Sequence, residues 1–551
     1  MRYNCPSFEG DKGLISAYLV TTRRGMARLV AVFSVALLAL ATAPQVHAQV
    51  TEFRQAVAQA AARDPDLVAF YRERNFEGIW STSADRNRRN ALLTAFSTAG
   101  DHGLPAARYD AQSLIAQLQA ATTPQEQGRL EVALSRQFLD YARDIQTGLL
   151  IPTRIDPAIH REVPLRSPVG TLRAFVQSNP EAFLRALPPS APEYTRLMRQ
   201  KMELERLVGS NGWGPQVPGG KLERGDSGAS VVVLRNRLIA MGFLQRTNTQ
   251  TYDDSIFGAV QRFQQAHGLA IDGTAGPGTL EEINVQPDRR LQSVIVAMER
   301  ERWINRPRGE RYVWVNITDF TAKIFDNGVE TFSTRSVVGA QAADRATPEF
   351  SDVMEFMVIN PSWYVPRSII TKEFLPQLRN NPNAVRNLLI TDSSGRVVDR
   401  STADFSNYTE SNFPYSMREP PSQGNALGLV KFMFPNQYNI YLHDTPAKSL
   451  FGREVRAYSH GCIRLADPFD FAYALLARQV SNPEEVFQAN LRTGREQRLD
   501  LKQPVPVHLV YRTAFTQADG PMQYRRDVYG RDGRIWSALA REGVALRAVG
   551  G

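Results

Sequence analysis

Cysteine is nearly absent. The 551 residues contain two, Cys5 and Cys462. So few thiols exclude a disulfide-rich scaffold and a cysteine-based zinc site. Charge of one sign is also in short supply. Lys and Arg total 65 against 56 Asp and Glu, a formal +9 with no clustered basic stripe. That mild bias suits an anionic polymer or surface but does not argue for nucleic acid. Hydrophobic residues make up 43% and charged residues 22%. Such a balance excludes a wholly disordered chain and a polytopic membrane protein. The length leads us to expect two to four domains.

One apolar run stands near the N-terminus. Met26 offers a second start, Arg23, Arg24 and Arg28 form a basic region, and Leu29 to Ala43 is apolar. Val46-His47-Ala48 then gives a small-x-small cleavage pattern, so residues 1–48 read as a secretory signal peptide. The run is shorter than the ~20 apolar residues a membrane span needs, although uncleaved it would anchor the protein. Cleavage would remove Cys5 and leave Cys462 as a lone thiol in an oxidising compartment.

The rest divides by period. Residues 49–209 show apolar spacing of helical type in QAVAQAAA, ALLTAFSTAG, SLIAQLQA, LEVALSRQFLDYARDI and EYTRLMRQKMELERLV, so a helical scaffold is expected. His102 and His160 stand isolated there and read as structural. A Gly/Pro-rich linker follows at 210–220. Residues 221–285 form a small unit, with one helix face from Val231, Leu234, Leu238 and Met241 and another from Ile256, Val260, Phe263 and Ala266. Gly268 stops the second helix. Residues 286–311 read as a connecting helix. From Tyr312 the period becomes two. YVWVNIT, EFMVIN, NIYLHD, AYSHGCIRL and PVPVHLVYRT are strand-like, and KIFDNGVETF is a hairpin tipped by Asn327-Gly328. A mainly β domain is therefore expected over 312–515, interrupted at about 367–417 by a polar, lid-like insertion and followed by a C-terminal extension, 516–551. The fold class is multidomain α+β.

Chemistry concentrates in two short motifs, YLHDTP (441–446) and YSHGCIRL (458–465). A thiol acts as a nucleophile only as thiolate, and a neighbouring imidazole can lower its pKa and take its proton. His460 lies two residues before Cys462, so an extended strand would put both on one face. His443 lies on another strand-like segment able to sit beside Cys462. Gly461 permits close backbone approach, and amides around Cys462 could serve an oxyanion. Arg464 could hold a carboxylate or phosphate. Asp444 could orient the imidazole, although a regular strand would turn its side chain to the other face. Trp363 and Tyr364 could line the site but read first as packed core, and His267 and His508 read as structural.

Two resemblances follow. Gly225-Asp226-Ser227-Gly228, Gly242-Phe243, Phe257-Gly258, Phe263-Gln264, Gly268-Leu269 and Asp272-Gly273 resemble the three-helix peptidoglycan-binding domain. His443 followed by Ser459-His460-Gly461-Cys462-Ile463-Arg464 resembles the L,D-transpeptidase catalytic domain, the YkuD-like family. Val338-Gly339, Thr347-Pro348, Asn360 to Pro366, Asn425 to Gly428 and Asp527 to Gly530 agree with it. The arrangement is similar to the large periplasmic subgroup of Gram-negative bacteria. The resemblance implies Cys462 as nucleophile and His443 as general base. It implies that His460 supports thiolate or oxyanion, that Gly461 and Cys462 offer backbone donors, and that Arg464 orients strand or substrate, with Asp444 and Ser459 in supporting places. It implies peptidoglycan stem peptides and glycan strands as partners, carbapenem-type inhibitors, no metal and no organic cofactor. The implied reaction is cross-linking through a thioester with release of D-Ala. The motifs do not encode the acceptor, so an L,D-carboxypeptidase or amidase, or a non-catalytic wall-binding scaffold, stays open.

Overall fold

The computed structural model describes residues 51–548 except 211, 343, 518 and 519. The apolar run at Leu29–Ala43 and its cleavage pattern lie outside the described residues.

The N-terminal region is helical as expected, and its helices start where side chains can cap them. Thr51, Asp64, Asp110, Thr123, Ser167 and Asn179 each accept an amide of the following first turn. The longest helix, Pro124–Thr147, packs Val132, Phe138, Tyr141 and Ile145 into an aromatic-rich core with Phe70, Trp80, Phe96 and Phe175. Glu131 is buried in the same helix. It accepts the amides of Ile79 (2.7 Å) and Trp80 (3.0 Å) and the Tyr71 hydroxyl (2.9 Å). These bonds fix the turn after Gly78 and offset the burial of the carboxylate.

The small unit has helices Ala229–Ala240, Asp254–His267 and Pro277–Ile283. Val231, Leu234, Leu238, Ile256, Val260 and Phe263 meet in its core, as the spacing predicts, while Met241 is only partly buried. Gly268 ends the middle helix at φ +67°. The Ala270 amide donates to Glu454, and Arg525 donates to the Ala266 carbonyl, so this unit is tied to the β domain.

Residues expected to be a connector are instead the centre of the molecule. The helix Pro287–Trp303 is buried along nearly its whole second half, including Glu299, Arg300, Glu301 and Arg302. Each of these four charges has its own partners. Glu299 pairs with Arg302 (2.9 Å) and takes the Leu150 amide (2.9 Å). Arg300 pairs with Glu349 (2.7 Å) and Asp532 (2.8 Å). Glu301 pairs with Arg308 (3.1 Å) and with Arg512. Arg302 also reaches Tyr194 (3.0 Å) and the His102 carbonyl.

The β region begins with β1 (Arg311–Asn316), β2 (Thr321–Asp326), β3 (Val329–Gly339) and β4 (Phe350–Ile359). After β5 (Trp363–Tyr364), β6 (Leu389–Thr391) and β7 (Ser416–Glu419) come β8 (Val430–Met433), β9 (Leu442–His443), β10 (Ala457–Ser459), β11 (Ile463–Leu465) and β12 (Gln497–Val510). Nine of them form one sheet in the order β10-β3-β11-β9-β8-β4-β12-β1-β2. The β2–β3 hairpin turns at Asn327 (φ +51°) and Gly328 (φ +80°), the left-handed pair that such a tip requires. The segment AYSHGCIRL is not one strand. It divides into β10 and β11, which lie on opposite edges of β3, β10 running parallel to it and β11 antiparallel.

The inserted segment is a small subdomain. β5, β7 and β6 form a sheet of their own, with a separate core of Val365, Ile370, Leu375, Leu378, Phe405 and Phe413. The C-terminal residues, expected as an extension, are part of the central core. β13 (Ala514–Phe515) pairs with β14 (Gln523–Tyr524), and the helix Arg531–Arg541 packs Ile535, Ala538 and Leu539 against the central helix.

Removing Arg300 would leave Glu349 and Asp532 buried without it. Arg300→Ala is expected to cost about 3–5 kcal/mol, read as a lower urea midpoint. An unchanged midpoint would mean that the carboxylates find other partners.

Candidate active site

Strand register assembles the site. Lys431 of β8 stands opposite His443 of β9, and His443 stands beside Arg464 of β11. Cys462 comes just before β11. It belongs to a bend, because Gly461 takes φ +113°. That bend overturns the expectation that His460 and Cys462 share the face of an extended strand. A glycine is needed there twice over. A Cβ would sit in left-handed space and meet Ile440 Cδ1 at 3.0 Å.

Ser459 staples the bend. Its hydroxyl donates to the Cys462 carbonyl (2.5 Å) and accepts the Gly461 amide (3.1 Å). The Gly461 amide is thereby engaged, so it is not the free oxyanion donor the sequence suggested. The Gly461 carbonyl accepts from Thr347 Oγ1 (2.7 Å), which itself accepts the Gly339 amide (2.9 Å). The Cys462 amide has no backbone partner among the described residues.

The thiol is partly exposed and donates to the Asn439 carbonyl at 3.4 Å. Asn439 holds φ +55° in a turn that the Asn436 side chain bonds at Phe434, Tyr438 and Ile440. Burial pushes the thiol up to about 11, and the Tyr441 amide and hydroxyl, Arg464 and Lys431 pull only partly against it. His443 is 4% exposed. Burial, aided by the Arg464 guanidinium, lowers its ring to about 3, against the opposing carbonyls of Asp444 and Leu427. At neutral pH the resting thiol and imidazole are therefore both neutral, and no hydrogen bond joins them among the described residues.

Nδ1 of His443 faces the Asp444 carbonyl at 2.5 Å. A carbonyl only accepts, so Nδ1 carries the proton and Nε2 of the neutral ring holds the lone pair. The backbone of Asp444, and not its carboxylate, thus orients the ring. The carboxylate instead accepts the Leu429 amide (2.9 Å), the Thr445 amide (2.7 Å) and Lys448 (2.7 Å), which ties down the turn through Gly428.

Arg464 has no carboxylate within ion-pair distance among the described residues, and its buried Nε has no hydrogen-bond partner. Its guanidinium lines a cavity of about 600 Å³ together with His443, His460, Cys462 and Ser459. The inserted subdomain covers one side of this cavity with Trp363, Tyr364, Ile369, Lys372, Glu373 and Phe374. Tyr364, expected as core, is 65% exposed there. Among the described residues no His, Cys, Asp or Glu cluster has metal-ligand geometry.

Glu373 was not foreseen. Its Oε1 accepts from His460 Nε2 (2.6 Å) and from Arg345 (2.7 Å). No spacing rule links it to a motif that lies 87 positions downstream. The structure, not the sequence, shows a local mark in the irregular turn of the insertion. Ile370–Phe374 is a single π-helical turn, a form that often marks functional sites. The other described histidines are structural in their contacts. His102 bonds Tyr194, His160 stacks on Tyr438, His267 bonds the Phe263 carbonyl and His508 bonds Ser351.

Residues 310–488 match the model of the L,D-transpeptidase catalytic domain, 227–283 that of a "Putative peptidoglycan binding domain" and 65–200 that of a scaffold domain. A Haemophilus influenzae protein described as "Putative L,D-transpeptidase" is 31% identical over 242 residues, 44% of this chain and 48% of that protein. The chain thus spans about half the length of this curated relative. A solved L,D-transpeptidase from Xylanimonas cellulosilytica aligns at 15% identity over 54% of this chain and 98% of its own, with a TM-score of 0.16. A fused Zn-dependent amidase/peptidase/peptidoglycan-binding domain-containing protein from Clostridium acetobutylicum aligns at 12% over 53% and 100%, with a TM-score of 0.15. Structural overlaps this low say nothing about chemistry.

The neutral resting pair has a direct signature. Iodoacetamide labelling of Cys462, followed by mass spectrometry, is expected to be slow at pH 7 and to rise roughly tenfold per pH unit into the strongly alkaline range. Arg464→Ala removes a cation that favours thiolate and moves the curve to still higher pH. A plateau below pH 8 in the unmodified protein would contradict the first, and an unmoved curve in Arg464→Ala the second.

Proposed function

We propose that this chain, which carries an L,D-transpeptidase catalytic domain and a peptidoglycan-binding domain, cross-links peptidoglycan stem peptides through a thioester on Cys462. One observation supports the reading above others. A partly exposed thiol, a buried imidazole and an unpaired guanidinium line one cavity large enough for a peptide stem.

The chemistry runs in two halves. His443 Nε2 takes the thiol proton as Cys462 Sγ attacks the carbonyl between diaminopimelate and the terminal D-Ala of a donor tetrapeptide. The C–N bond breaks, the proton passes to the departing amine, and D-Ala leaves a thioester behind. The side-chain amine of diaminopimelate on an acceptor stem then attacks the thioester, and the sulfur recovers a proton. The resting thiol is neutral, so proton transfer belongs to the encounter with substrate and not to the empty site. The Cys462 amide, without a backbone partner among the described residues, would receive the oxyanion. Arg464, lacking an acid of its own, is suited to a carboxylate of the stem. The small helical unit would hold glycan, the protein would work in the periplasm in association with the wall, and carbapenem-type inhibitors would acylate the same sulfur.

Mature protein incubated with disaccharide-tetrapeptide is expected to release D-Ala and form a cross-linked dimer, both followed by mass spectrometry. Cys462→Ala is expected to abolish both. D-Ala release without dimer would make the enzyme a carboxypeptidase, and untouched substrate with an intact thiol would make the chain a wall-binding scaffold.

A further inference from the structure

The active cavity holds two imidazoles with unequal access. The His443 side chain is sealed within the sheet, whereas that of His460 is 35% exposed at the rim. Once a donor acyl group sits on Cys462, an acceptor must arrive from the rim. The group waiting there is not His460 alone. Glu373, delivered by the inserted subdomain, uses one oxygen for both His460 and Arg345. Its second oxygen accepts no hydrogen bond among the described residues.

This geometry settles the tautomer. A carboxylate only accepts, so His460 carries its proton on Nε2, and the neutral ring keeps a bare Nδ1. A bare ring nitrogen at a rim can take a proton from an incoming group. A free carboxylate oxygen beside it can receive an ammonium, whereas water gains far less from that charge.

We propose that Glu373 determines the acyl acceptor: its free oxygen receives the acceptor's ammonium, and its bonded oxygen holds His460 so that Nδ1 takes the proton of the attacking amine. The proposal rests on the thioester reading above. The step balances. The ammonium first loses one proton to solvent. Its nitrogen then forms a bond to the thioester carbonyl carbon and passes a second proton to His460 Nδ1. The C–S bond breaks, and that proton returns to the Cys462 sulfur. The other charges nearby are accounted for. Arg345 shares Glu373, Lys372 pairs with Asp344 at 3.3 Å, and Arg464, Lys431, Tyr441 and His443 line the sulfur side.

The test separates the two halves of the reaction in the full chain. Glu373→Gln keeps the size of the side chain and a hydrogen-bonding oxygen but loses the charge. With disaccharide-tetrapeptide as both donor and acceptor, first-turnover D-Ala release and acyl-enzyme formation should stay within about twofold of the unmodified protein, since neither uses Glu373. Dimer formation should fall at least about tenfold, the acceptor KM should rise, and hydrolysed tripeptide should take a larger share. Arg396→Ala, which breaks an exposed pair with Asp392 in the same subdomain away from the cavity, should keep the native ratio of dimer to tripeptide. Equal loss of both halves in Glu373→Gln, an unchanged ratio, or the same shift in Arg396→Ala would each overturn the proposal. Failure of the unmodified protein to acylate at all would instead remove the thioester reading, and this inference with it.

Discussion

Four consecutive charges buried in one helix constrain the molecule. Glu299, Arg300, Glu301 and Arg302 leave water together, and each is tolerable only while its partners stay in place. Those partners come from the helical region, from the residue before β4, from just beyond β12 and from the C-terminal helix. The regions are therefore not beads on a string. A shift of the C-terminal helix would strand Arg300, and a shift of residues 147–150 would strand Glu299. Buried ion pairs are weak contributors to net stability, but they tolerate little misplacement. The central helix thus fixes relative position more than it adds cohesion.

That fixity reaches the site through short links. Glu349, held by Arg300, is one residue from β4 and two from Thr347, and Arg531 donates to the Thr347 carbonyl. Thr347 in turn bonds the Gly461 carbonyl. The bend that carries Cys462 is thus supported from behind by the same network that joins the regions. In front of it lies a wall of different origin, the inserted subdomain, which has its own core and meets the bend through Glu373 and the loop after β3 through Lys372. One side of the cavity is rigidly referenced, and the other is attached by polar contacts between half-exposed groups.

Much of this was legible in the sequence. Helical spacing located the N-terminal helices, and the Asn327-Gly328 pair located a hairpin because few other residues accept two left-handed conformations. The motif residues Cys462, His443, His460, Ser459 and Arg464 do share one cavity. What escaped had physical causes. Period-two reasoning made one strand of 457–465, because it cannot see that a glycine at φ +113° turns the chain. The central helix looked like a connector because charged residues are normally solvent-facing, and their partners are scattered from residue 102 to 532. Asp444 was given a carboxylate role, when the contact that matters is made by its carbonyl. Glu373 was missed because only tertiary structure brings it to His460.

The placement of β10 and β11 on either edge of β3 gives the motif a metric meaning. Two neighbours of a common strand stand roughly 9.5 Å apart. The backbone between Ser459 and Ile463 must cross that gap over the end of β3, and four Cα steps reach about 13–14 Å when fully drawn out. The tetrad is a strap cut nearly to size. One residue fewer would leave about 10–11 Å, little more than the gap itself, with almost nothing to spare for rounding the tip of β3. One more would let the sulfur sag away from its neighbours. Its length is thus set by the carpentry of the sheet before any proton is moved, and chain-length changes should be tolerated less well here than many exchanges of side chain.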